Sequence, residues 1–272
     1  MKNFKADLNI VLEAVRKASV NIARDFYELE NLQVSRKGIA DFVTKTDLKT
    51  EKTLIYHLQK ARPEYAFLTE ESGEIFPESG NDFEYKWIID PIDGTSNFMN
   101  SIPFFCISIA LVKVEDGKQD VQLGVICNPI SNEIFWAIKG EGAFVIDHMG
   151  LQKKARISKH DDFEKMLCAT QDYFRYEGRA KQYMDYIMKK HCKIRIFGTS
   201  ALELAYLSDA RINIAMAKCL NVWDYAAGML LVKESGGVIT DFNHEPLTLI
   251  NDNGIIAGSH SVIEDIKNNH DK

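Results

Sequence analysis

The chain has 272 residues, 46% of them hydrophobic, enough to bury a sizeable core as one large domain or two closely joined lobes. Lysine and arginine total 33 against 39 aspartates and glutamates, and the charge of -6 gives no basic field to draw the protein onto nucleic acid or an anionic membrane. The five cysteines are well separated and suit buried free thiols in a reducing compartment, and no CxxC pair or His/Cys cluster points to zinc.

In chain order, residues 6–28 carry Leu8, Val11, Ala14, Val15, Ala18, Ile22 and Phe26 at helical spacing and predict a long amphipathic helix. The same stretch lacks the apolar block and cleavage site of a secretory signal. A second helix is expected over about 48–61, with Asp47 as its N-cap and Pro63 beyond its end. Residues 71–84, "ESGEIFPESGNDFE", read as an exposed loop.

From 85 to 146 the period becomes that of strands. "YKWIID", "FCISIALVKV", "VQLGVICN", "EIFWAIK" and "GAFVI" are separated by turn residues and predict a mostly antiparallel meander. The longest apolar run, "FFCISIALV", is far short of the roughly 18 residues a membrane-spanning helix needs, so a cytoplasmic protein is expected. Beyond about 152, strands near 166–170, 193–197, 212–217 and 237–241 alternate with helices near 175–190, 200–208 and 224–235, which predicts an α/β lobe. The expected organisation is one domain over 1–272, with sub-lobes of about 1–151 and 152–272.

The chemistry concentrates in "WIIDPIDGTSNF" at 87–98. Asp90 follows three apolar residues at the end of a strand, where α/β sheets host ligands. Pro91 fixes its own φ and keeps Asp90 out of the helical region. Asp90, the Ile92 carbonyl and Asp93 can then converge as hard oxygen ligands, suited to magnesium, manganese or calcium. Gly94 allows close backbone approach, and a short helix starting at Thr95 would offer free N–H groups to an anion. By itself the turn is equally readable as one whose acids cap backbone amides. Glu70 and Glu71 in "LTEESG" read alone as a solvated loop, and Asp224 in "NVWDYAAG" as a helix cap. Together with Asp47 in "DFVTKTD", however, acids recur at the ends of several elements, as in a site assembled from distant segments.

"DFVTKTD", "TEES", "WIIDPIDGTSNF", "GTSALELAYLSDAR" and "VWDYAAG" resemble, in order and spacing, the inositol monophosphatase family, and the resemblance spans nearly the whole chain. It implies an α/β fold in which an α+β N-terminal lobe with the meander and an α/β C-terminal lobe form a layered αβαβα sandwich. It also implies magnesium (Mg2+) dependence, lithium inhibition and a homodimer. By that resemblance Glu70, Asp90, Ile92, Asp93 and Asp224 are the metal ligands. Asp47 and Thr95 orient the attacking water, with Glu70 beside them at the catalytic centre. Asp93, Gly94, Thr95, Gly198, Thr199, Ser200 and Asp224 bind substrate.

One position departs from the pattern. Members specific for inositol phosphate carry a glutamate seven residues before the WD aspartate, where this chain has Ala217; Asn213 likewise stands where an aspartate is common. The leading expectation is hydrolysis of inositol 1-phosphate. The alternatives are fructose 1,6-bisphosphate, histidinol phosphate, NADP or adenosine 3′,5′-bisphosphate, or a binding role with transcription factors in ribosomal RNA synthesis. Lys218, Arg211 and Arg175 are the candidates for a basic pocket that would favour bisphosphates, though each also reads as an ordinary surface charge.

Overall fold

The N-terminal periodicity becomes one helix, α1 (Lys5–Asn31), because its apolar residues form a single stripe that buries Leu8, Val11, Val15, Ala18, Ile22 and Phe26. The protein is described from a computed structural model over residues 3–31, 36–80, 82–171, 173–250 and 253–270. The side chains of residues 30, 31 and 36–44, including the first four of the DFVTKTD stretch, lie outside that description.

The second helix, α2 (Arg36–Ala61), begins well before residue 48, so Asp47 lies within it and is not its N-cap. Thr-Lys-Thr-Asp has the composition of a helix start. No proline or glycine separates it from residues 39–43, however, and a helix already nucleated gains one hydrogen bond for each residue it orders.

Eight strands form the first sheet: β1 (Ala66–Thr69), β2 (Gly73–Ile75), β3 (Tyr85–Asp93), β4 (Cys106–Glu115), β5 (Lys118–Asn128), β6 (Glu133–Ile138), β7 (Gly142–Ile146) and β8 (Gln152–Lys154). Their order is β2-β1-β3-β4-β5-β6-β7-β8. The expected meander is β3 to β7, antiparallel throughout, while β1 runs parallel to β3. β2 falls in the stretch read as loop and pairs with β1, Phe67 opposite Ile75.

The second sheet is β9 (Leu167–Thr170), β10 (Lys193–Arg195), β11 (Ile214–Ala217), β12 (Val238–Thr240) and β13 (Ile255–Gly258), ordered β10-β9-β11-β13-β12. Between and after its strands run α4 (Gly178–Lys189), α5 (Ser200–Ser208), α6 (Val222–Glu234) and α7 (His260–Asn269). A short α3 (Thr95–Met99) follows β3.

Three cores hold five layers together, the middle one packing α5 and α6 against both sheets. Trp87 and Ile89 of β3 point to the core shared with α1 and α2, and Ile88 between them points to the core shared with α5 and α6, the period-two alternation of a sheet covered on both faces. In the second sheet Ala169 faces α5 and α6 while Cys168 faces α4 and α7. The result is the mixed α/β, αβαβα sandwich. Gly228 of the "WDYAAG" stretch is required by packing: a Cβ there would sit 2.6 Å from Leu204 Cβ, so its absence lets α6 close on α5. Among the described residues no helix is long and apolar enough to cross a membrane.

Candidate active site

A strand with regular pleat would send Asp90 and Asp93 to opposite faces. Here the register of β3 against β4 shifts between Asp90, opposite Ser108, and Asp93, opposite Cys106. The irregularity re-aims Asp93, and one carboxylate oxygen from each of Asp90, Asp93 and Asp224 comes within 4.8 Å of the other two. Asp224 arrives from the start of α6, where it is the third residue of a capping box: its Oδ2 accepts the Asn221 N–H at 2.7 Å. Ser108 Oγ donates to the Trp223 carbonyl at 3.1 Å and ties this helix start to β4.

Each acid has one oxygen held in place. Asp90 Oδ1 accepts the Ile92 N–H at 3.0 Å, and Asp93 Oδ2 accepts the Ala201 N–H at 2.8 Å and the Thr199 hydroxyl. Glu70, exposed overall on the loop after β1, turns its carboxyl inward to hydrogen-bond Asp90, and its amide donates to the Ile89 carbonyl at 3.2 Å. That loop is held from behind by Glu51 of α2, fully buried, which accepts the Glu71 N–H at 3.0 Å and the Ser72 hydroxyl. Asp47, one helical turn before Glu51, is buried and faces the same loop.

The electrostatics of this group are those of acids crowded out of water. Burial, then the charges of Asp93, Glu70 and Asp224, holds the Asp90 carboxyl well above the carboxylate range. Burial raises Asp93 to about 6 despite the Thr199 and Ala201 donors, and raises Asp224 to about 7, with Asp93 adding to the effect. For Asp47 burial comes first and the carboxylates of Glu71, Glu70 and Glu51 second, together lifting it to about 8. Glu70 is raised by partial burial, against the hydrogen bond from Asp90. Among the described residues none of these acids forms an ion pair with a lysine, arginine or histidine. Hard oxygen donors, converging and without a cationic side chain, fit a divalent cation of the magnesium or calcium type.

The other expected residues are distributed around this group. Gly94 has φ 97°, and a Cβ there would meet Phe105 Cβ at 3.1 Å and Thr199 Cβ at 3.2 Å, so glycine is demanded by conformation and by packing. The Gly94 carbonyl accepts the Phe98 N–H at 3.0 Å, which leaves the preceding amides of α3 without intrahelical partners. Thr95 Oγ1 donates to the Ile92 carbonyl at 3.1 Å and makes no hydrogen bond to Asp47 among the described residues. That carbonyl, expected beside Asp90 and Asp93, therefore already accepts one bond. Gly198, Thr199 and Ser200 line a cleft of about 410 Å³ that opens beside Asp93 and Asp224. Larger hollows of about 600 and 640 Å³ lie against α1 and α2 but gather no comparable acids.

Of the cations considered for a basic pocket, only Arg175 lines this cleft. Arg211 is committed to Glu133 and Asp209 and stacks on Phe135 and Tyr206. The Lys218 amide donates to Gln171 Oε1 at 2.9 Å. Asn213 accepts the Leu167 N–H at 3.0 Å, which gives it a strand-tying role, and Ala217 is buried in β11. Sequence reasoning did not single out Glu51, Ala201 or the buried Glu203, whose carboxyl is raised by burial and by Asp93 and is held by the backbone of residues 197–199. Glu51 falls inside the helix expected over about 48–61, and helical spacing carries no sign of its loop contact.

Known proteins resemble this chain along nearly its whole length. The sequence profile of the inositol monophosphatase family matches residues 5–270. Inositol-1-monophosphatase of Caulobacter vibrioides is 39% identical over 255 residues, 93% of this chain and 96% of the relative. Nus factor SuhB of Escherichia coli K12 is 35% identical over 260 residues, 94% of this chain and 92% of the relative. The crystal structure of extragenic suppressor protein suhB from Bartonella henselae superposes with a TM-score of 0.83 at 39% identity, covering 98% of this chain and 99% of that one. The chain belongs to the inositol monophosphatase family and is a phosphatase.

Proposed function

We propose that this phosphatase hydrolyses a small polyol phosphate monoester, with inositol 1-phosphate as the leading substrate, and that its cation is magnesium. The observation that carries the reading is the convergence of Asp90, Asp93 and Asp224 within 4.8 Å with no cationic side chain among them. Glu70, Asp90, the Ile92 carbonyl, Asp93 and Asp224 would hold the metal. When bound, magnesium lowers the pKa of an attacking water and neutralises charge on the departing alkoxide. Asp47 and Thr95 orient that water for in-line attack on phosphorus, and the backbone of Gly94 and Thr95 holds the phosphate. Gly198, Thr199 and Ser200 contact the alcohol part, with the Thr199 hydroxyl acting through Asp93, to which it is bonded. The chain acts in this reading as one cytoplasmic domain of two lobes, and as a homodimer.

Ala217 removes a carboxylate acceptor for ring hydroxyls, which lowers discrimination between polyols. The test is phosphate release from inositol 1-phosphate, fructose 1,6-bisphosphate, histidinol phosphate, NADP and adenosine 3′,5′-bisphosphate, with magnesium and again with lithium added. Magnesium-dependent, lithium-inhibited release of phosphate from inositol 1-phosphate is the expected result. Preference for another compound would change the substrate and keep the site, and no release from any would contradict the reading.

A second reading draws on the relatives named Nus factor SuhB: association with transcription factors through the surface. It expects capture by such factors that survives Asp90→Asn, and loss of capture in that variant would count against it.

A further inference from the structure

The cleft beside the acid cluster has a single cationic side chain among its lining residues, Arg175, at the end of the 3-10 turn Tyr173–Arg175. Arg175 forms no ion pair or hydrogen bond among the described residues, although Asp93, Asp224 and Glu203 line the same cleft. Those acids are occupied elsewhere: Asp93 by Ala201 and Thr199, Asp224 by Asn221, and Glu203 by the backbone of residues 197–199. Arg175, exposed and lining the cleft, is thus left with its planar set of donors uncommitted.

The neighbouring groups extend this donor character. Gln171, which lines the cleft, has its Oε1 taken by the Lys218 N–H at 2.9 Å, so the group it has left to offer is its NH2 donor. Thr170 Oγ1 is shared with the Tyr176 hydroxyl at 2.8 Å. Asn97 spends its Nδ2 on the Phe104 and Phe197 carbonyls, each at 2.7 Å. At Ala217, where a carboxylate would accept from hydroxyls of a neutral ring, there is only a buried methyl group. Among the described residues, the side of the cleft that would receive the non-reacting end of a substrate therefore offers positive charge and N–H donors, and no free carboxylate.

We infer that Arg175 is a specificity-determining residue. It selects phosphate monoesters whose far end carries a second anion, a carboxylate or another phosphate, over esters of the same size whose far end is neutral. The guanidinium fork matches the paired oxygens of either anion, which a neutral hydroxyl cannot supply. This inference rests on the acid cluster being the phosphatase centre. It narrows the substrate class of that centre beyond inositol 1-phosphate.

The test uses glycerol 2-phosphate and glycerate 2-phosphate, which share the ester and differ in a CH2OH against a carboxylate. With saturating magnesium, kcat/KM is measured for both on the wild-type protein and on Arg175→Gln and Arg175→Glu, whose site is exposed and whose folding is checked by circular dichroism. The wild type is expected to favour glycerate 2-phosphate by about tenfold, the scale of one hydrogen-bonded charge contact, chiefly through KM. Arg175→Gln should bring the ratio near one and Arg175→Glu should invert it. A ratio that neither variant moves, or a wild type that favours glycerol 2-phosphate, overturns the assignment of Arg175 and leaves the phosphatase reading standing. Absence of release from both compounds while inositol 1-phosphate is hydrolysed overturns this inference alone, and absence from all three overturns the phosphatase reading with it.

Discussion

The Asp93 carboxylate accepts the backbone N–H of Ala201 at 2.8 Å across 108 residues of sequence, and this bond fastens the end of β3 to the first turn of α5. Thr199 completes the junction. Its hydroxyl donates to the same Asp93 oxygen while its Oγ1 accepts the Leu202 N–H at 3.4 Å as the cap of α5. Thr199→Ala removes both contacts. The cap alone is worth about 1 kcal/mol of stability by urea denaturation, and the freed Asp93 should weaken magnesium binding several-fold by calorimetric titration.

The crowded acids make stability depend on pH in a definite direction. Asp47, Asp93 and Asp224 sit at about 8, 6 and 7 in the folded protein. An unfolded aspartate titrates near about 3.9, so between about pH 4 and 8 the folded state holds more protons than the unfolded one and stability falls as pH rises. The Tm of metal-free protein should therefore decline from pH 5 to pH 8, and added magnesium should raise Tm more at pH 8 than at pH 5. A Tm that climbs with pH in the absence of metal would contradict the acid crowding.

Glu51 touches neither the cleft nor the three converging aspartates, yet it holds the Glu71 amide and the Ser72 hydroxyl and so sets the loop that carries Glu70. Glu51→Ala takes the acceptor from the partly buried Glu71 amide and from the Ser72 hydroxyl, at a cost of about 1 kcal/mol. It should also raise the magnesium concentration needed for half-maximal activity, whereas Glu51→Gln, which keeps an acceptor oxygen, should recover part of both losses. Equal magnesium requirements in wild type and Glu51→Ala would remove Glu51 from the account of the loop.

Arg211 belongs to the frame. It bridges Glu133 at 2.6 Å and Asp209 at 3.0 Å and lies over the rings of Phe135 and Tyr206. Because the pair is only partly sheltered, Arg211→Ala is expected to cost about 2 kcal/mol, below the range for a fully buried pair. It should not change the preference among phosphate esters. A shift in substrate preference without a loss of stability would return Arg211 to the basic-pocket role.

Most of the fold was legible where one physical signal dominated. β3 to β7 alternate apolar side chains between two cores and are punctuated by turn residues, so period and breaks agree. α2 was misread because Thr and Asp favour helix starts without requiring them, and its own continuation overrode the cap signal. The four-residue β13 and the α7 behind it were not assigned: a short apolar run between Gly254 and Gly258 is ambiguous until β11 and β12 flank it.

For the site, "DPIDG" and "WD" marked the three converging aspartates because stiff turns and helix starts are local features. The bonds that fix those acids are not local. Ala201 and Thr199 reach Asp93 from more than a hundred residues away, and Glu51 reaches the Glu70 loop from another helix. No spacing rule within one sequence reports such contacts.

In the proposed function, Asp90, Asp93 and Asp224 form a magnesium site that drives phosphate ester hydrolysis. Its most direct test is phosphate release from inositol 1-phosphate as magnesium is titrated into metal-free wild type, Asp90→Asn and Asp224→Asn, each confirmed as folded. Release is expected to rise from zero with magnesium in the wild type and to be lost by at least about a thousandfold, about 4 kcal/mol of transition-state stabilisation, in both variants. Release that persists without divalent metal, or that survives near its normal rate in Asp90→Asn, would contradict it.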